Sequence, residues 1–364
     1  SAQAAICTEQ RTGKCRGWSG KCCHFASTLL AGLTEVNCWS MGIFTFWLRR
    51  NTTMSIPDMS ELSFDHDFDA KPGACIRLSD QVRRVTCNNP GPFTFKGTNC
   101  YIVGTGKVAI IDPGPEDEDQ LAALLDAVRG ETVTHIIITH THRDHSPLTR
   151  RLQQATGATT YGYGPHGSGR AAKAITSGDI TLDAAGDHEF DPDIAVTHGD
   201  IIEGTGWSLE SVFTPGHCSN HMAFALNDEQ TLFCGDHVMA WSTSVIAPPD
   251  GHMADYFSSL RTLIARDQDR LYLPGHGPTK QNPQRFTRAF LGHRLMREKA
   301  VLQHIASGER TIMGVVKKVY AGIDAKLHAA AALSTLAHVE HLIEQNLVRA
   351  HGELSLDTEY EAVG

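Results

Sequence analysis

Short apolar runs that stop at a polar turn set the pattern of residues 133–277. Residues 133–138 (Val-Thr-His-Ile-Ile-Ile) are β-branched and too few for a helix, so they read as a buried strand. Residues 207–213, 232–236 and 271–277 repeat the arrangement, each an apolar or alternating run that leads into a Gly or Pro-Gly turn. Between these runs the period changes. Residues 117–129 place Leu121, Leu124, Leu125 and Val128 at helical spacing, with acidic residues in the first turn and Gly130 after the last. Ser146-Pro147 has the form of a helix cap opening a helix over 148–155, and 255–265 is again helical in pattern. Residues 162–192 are Gly-rich and polar, and read as an insertion or lid-like loop. Strands alternating with helices give an α/β fold.

After His276 the character shifts. Helices are predicted over 288–304, 311–320, 325–336 and 338–347, followed by a small wing at 348–353. Residues 288–351 hold nine Lys/Arg against five Asp/Glu, so this part is basic although the whole chain carries −9. A solvated helical face packed on the preceding domain explains that balance as well as a nucleic-acid contact does. The overall negative charge disfavours a generic binder of nucleic acid or anionic membranes. No apolar run reaches the roughly 18–20 residues needed to cross a bilayer. With 364 residues and 41% hydrophobic content, the chain can bury a large core in one or two domains.

Residues 1–53 stand apart, holding Cys7, Cys15, Cys22, Cys23 and Cys38, half of the ten cysteines. A zinc knuckle lacks its paired CxxC here, and a signal peptide is interrupted by Glu35 and Asn37. The favoured reading is an upstream extension, with the functional protein opening at Met54. The divisions expected are 1–53, 54–285 and 286–364. The other cysteines lie scattered near strands, as reduced thiols of a cytoplasmic protein would.

The chemistry gathers where the strands end. His140, His142, Asp144 and His145 follow the first run, His217 follows the second, Asp236 the third and His276 the fourth. Five imidazoles and two carboxylates on four turns suffice for two metal ions, and this donor chemistry suits zinc, iron or manganese. One such turn alone could be a polar loop rich in histidine.

The motifs HxHxDH (140–145), TPGH (214–217), GD (235–236) and PGHG (274–277) together resemble the metallo-β-lactamase superfamily, in particular its glyoxalase II-like branch. The resemblance begins near Asn88–Phe93 and Gly97–Tyr101 and covers roughly four-fifths of the chain. It implies a four-layered αββα sandwich. It also implies that His140, His142 and His217 bind one metal, that Asp144, His145 and His276 bind another, and that Asp236 bridges them. Asp112, in Ile-Asp-Pro-Gly, corresponds to an aspartate that orients ligands; as a bare residue it is also a good turn former. The segments 291–294 (Leu-Gly-His-Arg), 297–298 and 337–339 resemble the C-terminal winged-helix domain of the β-lactamase-like endoribonucleases.

Two Zn2+ ions are the expected cofactors, with Mn2+ or Fe as the other fits. Held about 3.5–4 Å apart, such ions make hydroxide available at neutral pH, with Asp144 and Asp236 as the catalytic carboxylates. Cys218 could suggest a covalent route, but it has no separate base. The substrate stays open at this stage. Single-stranded RNA fits the winged-helix resemblance, whereas a small ester, thioester or lactone fits the metal set and the negative charge. A dedicated β-lactamase is disfavoured because the zinc β-lactamases carry Cys or Ser where this chain has Asp236, although weak lactam turnover is expected of such a centre. A metal-storing module is the least favoured class. Asn220 and His221 are candidate cleft residues, with His221 either a substrate contact or a structural partner. Residues 241–252 could wall the pocket. His135, His166, His188, His198 and His252 read as ordinary surface or core histidines. A homodimer is compatible with a winged-helix module, and no membrane partner is expected.

Overall fold

In the computed structural model, residues 62–169, 185–322, 324 and 327–364 are described. All fall in the compact unit Ile56–Gly364. The cysteine-rich stretch and residues 170–184 of the Gly-rich insertion lie outside these residues, so the expectations for them stay as expectations.

The strands form two sheets. The first has seven strands in sequence order: β1 (Cys75–Arg77), β2 (Val82–Thr86), β3 (Asn99–Val103), β4 (Lys107–Ile111), β5 (Thr132–Ile137), β6 (Thr159–Gly162) and β7 (Ile194–Ala195). The second runs in the order β13-β12-β11-β10-β9-β8. Its strands are β8 (Ile201–Glu203), β9 (Ser208–Phe213), β10 (Met222–Leu226), β11 (Thr231–Gly235), β12 (Leu271–Pro274) and β13 (Lys280–Gln281). Alternation along each strand builds the layers. On β3, Tyr101 and Val103 face the second sheet, where they join Phe224, Phe233 and Leu273 in a core between the sheets. Cys100 and Ile102 point the other way, to Leu124 of α1 (Glu118–Ala127) and Leu152 of α2 (Thr149–Thr156). On β10, Ala223 and Ala225 face outward to Tyr256, Phe257 and Leu260 of α3 (Met253–Ala265). Both faces of each sheet are covered, which is why the strands read as nearly continuous apolar runs. The αββα sandwich is therefore present.

Helix α4 (Pro283–Ala306) joins this sandwich to the C-terminal part. At 24 residues it is about 36 Å long. Phe286, Phe290 and Leu291 pack in the α3 layer, while Val301 and Ile305 enter a separate core. That second core is completed by α5 (Ile312–Val319), α6 (His328–Glu344) and an antiparallel wing of β14 (Val348–Ala350) with β15 (Tyr360–Ala362). The sequence suggested two helices around position 337, but α6 is continuous. Ala337 and His338 carry no breaking tendency, and the buried His338 ring meets Glu298 at 3.2 Å. The expected cap at Ser146 also differs. Its hydroxyl donates to Asp187 (2.6 Å) and α2 begins at Thr149 without a side-chain cap, because Ser146 belongs to the tight turn that closes on the His142 carbonyl. Asp117 does cap α1, accepting from Gln120 N at 2.8 Å. No described helix is long and apolar enough to cross a membrane.

One ion pair between the two parts gives a pH signature. Half-buried His252 reaches Asp255 at 2.8 Å and Glu344 of α6 at 3.0 Å. The hydrogen bond and charge of Asp255, with Glu344 adding to them, raise its pKa from 6.5 to about 9. A raised folded-state value stabilises fully below about pH 6.5, and that contribution is lost as pH rises through about 9. Solvent at the two carboxylates limits it to about 1 kcal/mol or less. Thermal melts should therefore show a smaller fall from pH 6 to pH 9.5 in His252→Gln than in the wild type, and equal falls would remove the bridge from the account.

Candidate metal centre

The parallel pairing of β4 with β5 aligns Ile111 with Ile137 and brings Asp112 to the turn that leaves β5. Asp112 is buried at φ +50, a conformation that aspartate tolerates better than most residues. Its carboxylate accepts from Thr139 N (2.8 Å), Thr139 Oγ1 (2.6 Å) and His145 Nδ1 (3.0 Å). One carboxylate thus sets the conformation of the whole HxHxDH turn. On the second sheet, β11 ends at Gly235 before Asp236, and β12 ends at Pro274 before His276. Gly275 admits the close approach of these turns. A Cβ there would lie 2.3 Å from Asp236 Oδ1 and 2.7 Å from His145 Cε1.

The ligand-type atoms converge as two sets. In one, His140 Nε2 lies 3.1 Å from His142 Nδ1, which lies 3.0 Å from His217 Nε2. In the other, His276 Nε2 lies 3.3 Å from His145 Nε2 and 3.1 Å from Asp144 Oδ2. Asp236 sits between them. Its Oδ2 is 3.2 Å from His276 Nε2 and 3.8 Å from His217 Nε2, while its Oδ1 is buried without a hydrogen bond among the described residues. All seven residues anticipated as ligands are brought together.

The donor set passes a test of fit to metal. Zinc–nitrogen bonds of about 2.0–2.1 Å in a tetrahedron put ligand atoms roughly 3.3 Å apart, close to the separations observed. Each imidazole is also held by its other nitrogen. His140 Nδ1 meets Thr139 Oγ1 (3.0 Å), His142 Nε2 meets Cys218 Sγ (3.0 Å), and His145 Nδ1 meets Asp112. His217 Nδ1 donates to Val245 O (2.6 Å) and His276 Nδ1 to Gly97 O (3.3 Å). The lone pairs facing inward are thereby fixed, as metal ligation requires.

Electrostatics divides the two sets. Burial lowers His140 far below the usual imidazole value, lowers His142 to about 3 and lowers His217 as well, so this set presents neutral lone pairs. In the other set burial works against the charged forms and loses. Asp144 and Asp236 hold His145 well above the usual value, and Asp236 with Asp144 raises His276 to about 9. Despite their own burial, Asp144 and Asp236 are held low by His145 and His276. A metal cation entering this set takes the place of protons.

His221 is fully buried, with Nδ1 at 2.8 Å from Thr214 Oγ1 and Nε2 accepting from Asp236 N at 3.2 Å, so both its nitrogens are engaged beside Asp236. Asn220 is likewise engaged, donating to Thr141 Oγ1 (2.9 Å) and Gly164 O (3.1 Å). Trp241 stacks on Phe95 with ring centroids 4.8 Å apart. Thr139, Cys218 and Val245 support the centre without having been singled out for that role. Thr139 and Cys218 at least adjoin ligand residues, but a backbone carbonyl such as that of Val245 leaves no trace in sequence.

A family profile described as the metallo-beta-lactamase superfamily matches residues 93–276. The chain belongs to this superfamily. The beta-lactamase associated winged helix domain matches residues 311–357. Among curated relatives, a beta-lactamase-like protein 2 homolog of Caenorhabditis elegans is 30% identical over 254 residues, 67% of this chain and 78% of that protein. An atrochrysone carboxyl ACP thioesterase of Aspergillus fumigatus is 30% identical over 267 residues, 71% of this chain and 72% of that protein. Among solved structures, a beta-lactamase domain protein of Burkholderia ambifaria superposes with a TM-score of 0.67 at 18% identity, covering 84% of this chain and 98% of that one. A metallo-beta-lactamase family protein of Thermus thermophilus gives a TM-score of 0.64 at 22% identity, covering 79% and 100%. These two likenesses establish the fold alone. The protein is a superfamily hydrolase with His/Asp clusters suited to a metal site.

Proposed function

We propose that this chain is a two-metal hydrolase of acyl thioesters and related small esters. The observation that carries the two-metal part is Asp236, placed between two donor sets with one carboxylate oxygen facing both. Zn2+ is the ion this chemistry favours, with Mn2+ or Fe as the alternatives. Bound there, a pair of divalent ions would supply a Lewis acid and make a water acidic near neutral pH. The chain's own part is charge and orientation. Asp144 and Asp236, held ionised, balance positive charge in a buried setting. Asp236 Oδ1, which has no hydrogen bond among the described residues and lies 3.6 Å from His145 Nε2, would help orient the attacking water. A thiolate leaving group has a pKa near 8.5, so its departure asks less of an acid than an alkoxide does.

The substrate class is supported by where the C-terminal cations lie. Of Arg294, Arg297, Lys317 and Lys318, the C-terminal cations that RNA binding would draw on, three are engaged within the protein. Arg294 is buried and donates to Ser244 O. Arg297 donates to Val319 O (2.6 Å) and covers the Tyr320 ring, and Lys318 pairs with Glu309 (2.9 Å). This favours a small acyl compound over a polyanion, and the thioesterase among the relatives agrees in reaction type.

Metal-replete protein should be offered an acyl thioester, an ester, a β-lactam and single-stranded RNA over a range of salt. We expect thioester turnover that is nearly flat with salt, and weak lactam turnover. RNA cleavage at low salt that collapses as salt rises, with the thioester untouched, would replace this reading by the endoribonuclease one.

A further inference from the structure

Arg294 is one of the nine basic residues of 288–351, yet only 2% of it is exposed. Its guanidinium donates to the carbonyl of Ser244 and lies 5.6 Å from the ring centroid of Tyr256. Tyr256 Oη and Ser244 Oγ both donate to His237 O, at 2.8 and 2.9 Å. Residues 237–245 are thus pinned at Ser244 by Arg294 of α4 and at His237 by Tyr256 of α3. The segment starts immediately after Asp236. It ends at Val245, whose carbonyl accepts from His217 Nδ1 at 2.6 Å. A guanidinium is costly to bury, and its Nε finds no hydrogen-bond partner among the described residues. An apolar side chain would pack here more cheaply.

We propose that Arg294 is a positioning residue for His217. By fixing the Ser244 carbonyl it sets the planar peptide that leads into Val245. The Val245 carbonyl is then held where it receives Nδ1–H, and His217 Nε2 stays aimed at His142 Nδ1 and Asp236 Oδ2. Helix α4, whose far half lies in the winged-helix core, is in this way coupled to the three-histidine set. The inference rests on the metal-centre reading above and is independent of the substrate.

Titration of metal-stripped full-length protein with Co2+, followed by visible absorption, tests it. Wild type should show two binding steps, and His217→Ala identifies which step belongs to the three-histidine set. In Arg294→Met that step should weaken about ten- to hundredfold while the other holds, and Arg294→Lys should recover part of the loss. A second readout needs no metal. In histidine-labelled, metal-free protein the Nδ1 proton of His217 should move upfield and exchange faster in both variants. Unchanged Co2+ steps in Arg294→Met, or equal weakening of both steps, would overturn the proposal. Should that variant not fold, Arg294→Lys is judged by the same selectivity. If wild type binds no second Co2+ ion, the metal-centre reading fails. The His217 proton then decides for Arg294, and an unmoved resonance counts against it.

Discussion

Asp236→Asn is expected to lower turnover by roughly three orders of magnitude while the protein stays folded. Among the described residues the Asp236 carboxylate faces both donor sets, and charge stabilisation at a metal pair is worth on the order of several kcal/mol. Each 1.36 kcal/mol is about a tenfold change in rate, which sets the size of the expected loss. Asparagine keeps the shape but removes the charge, and its amide would present a donor to imidazoles that also carry protons. In the metal-free protein, His276 owes its pKa of about 9 chiefly to Asp236, acting against burial. In the variant that value should drop toward or below the ordinary imidazole range. Elemental analysis should show the metal content falling from about two ions toward one. Three measurements check this: thioester turnover, metal per chain, and titration of His276 by NMR. A rate equal to wild type would take Asp236 out of the mechanism.

The centre was legible in sequence because it is built where strands stop. β5, β9, β11 and β12 each announce themselves by apolar residues, and His140, His217, Asp236 and His276 follow within a few positions of their ends. Binary patterning therefore pointed to the turns that carry these candidate ligands without any knowledge of how the sheets pack. What could not be read is whatever depends on contacts between distant segments. Arg294 counts as a surface cation until α4 is seen to bury it against Ser244. His221 could have been a substrate contact until both its nitrogens are found committed, one to Thr214 and one to the backbone of Asp236. Two helices were expected to meet at position 337, but the helix runs through, and Glu298 of α4 gives the buried His338 a partner. In each case the residue type was known and its partner, between 7 and 50 residues away in sequence, was not.

Asp112→Ala should weaken the centre from behind, and it separates positioning from bridging. Asp112 makes no approach to the inward-facing lone pairs; it accepts from Thr139 N, Thr139 Oγ1 and His145 Nδ1. Alanine would leave these three donors buried without it, at about 1–3 kcal/mol for each that finds no new partner. Alanine also suits φ +50 less well than aspartate does. A stability loss of about 3 kcal/mol is therefore expected, read by denaturant unfolding of the metal-free protein. Metal affinity should fall by roughly ten- to hundredfold, because the His145 ring is no longer held in one tautomer and orientation. Once saturated with metal, however, the variant should regain a substantial share of its turnover, since Asp236 and all the inward-facing atoms remain. That recovery is the point of contrast with Asp236→Asn, whose deficit excess metal should not repair. If excess metal restores nothing to Asp112→Ala, the aspartate does more than orient His145, and its place behind the ligands would have to be reconsidered.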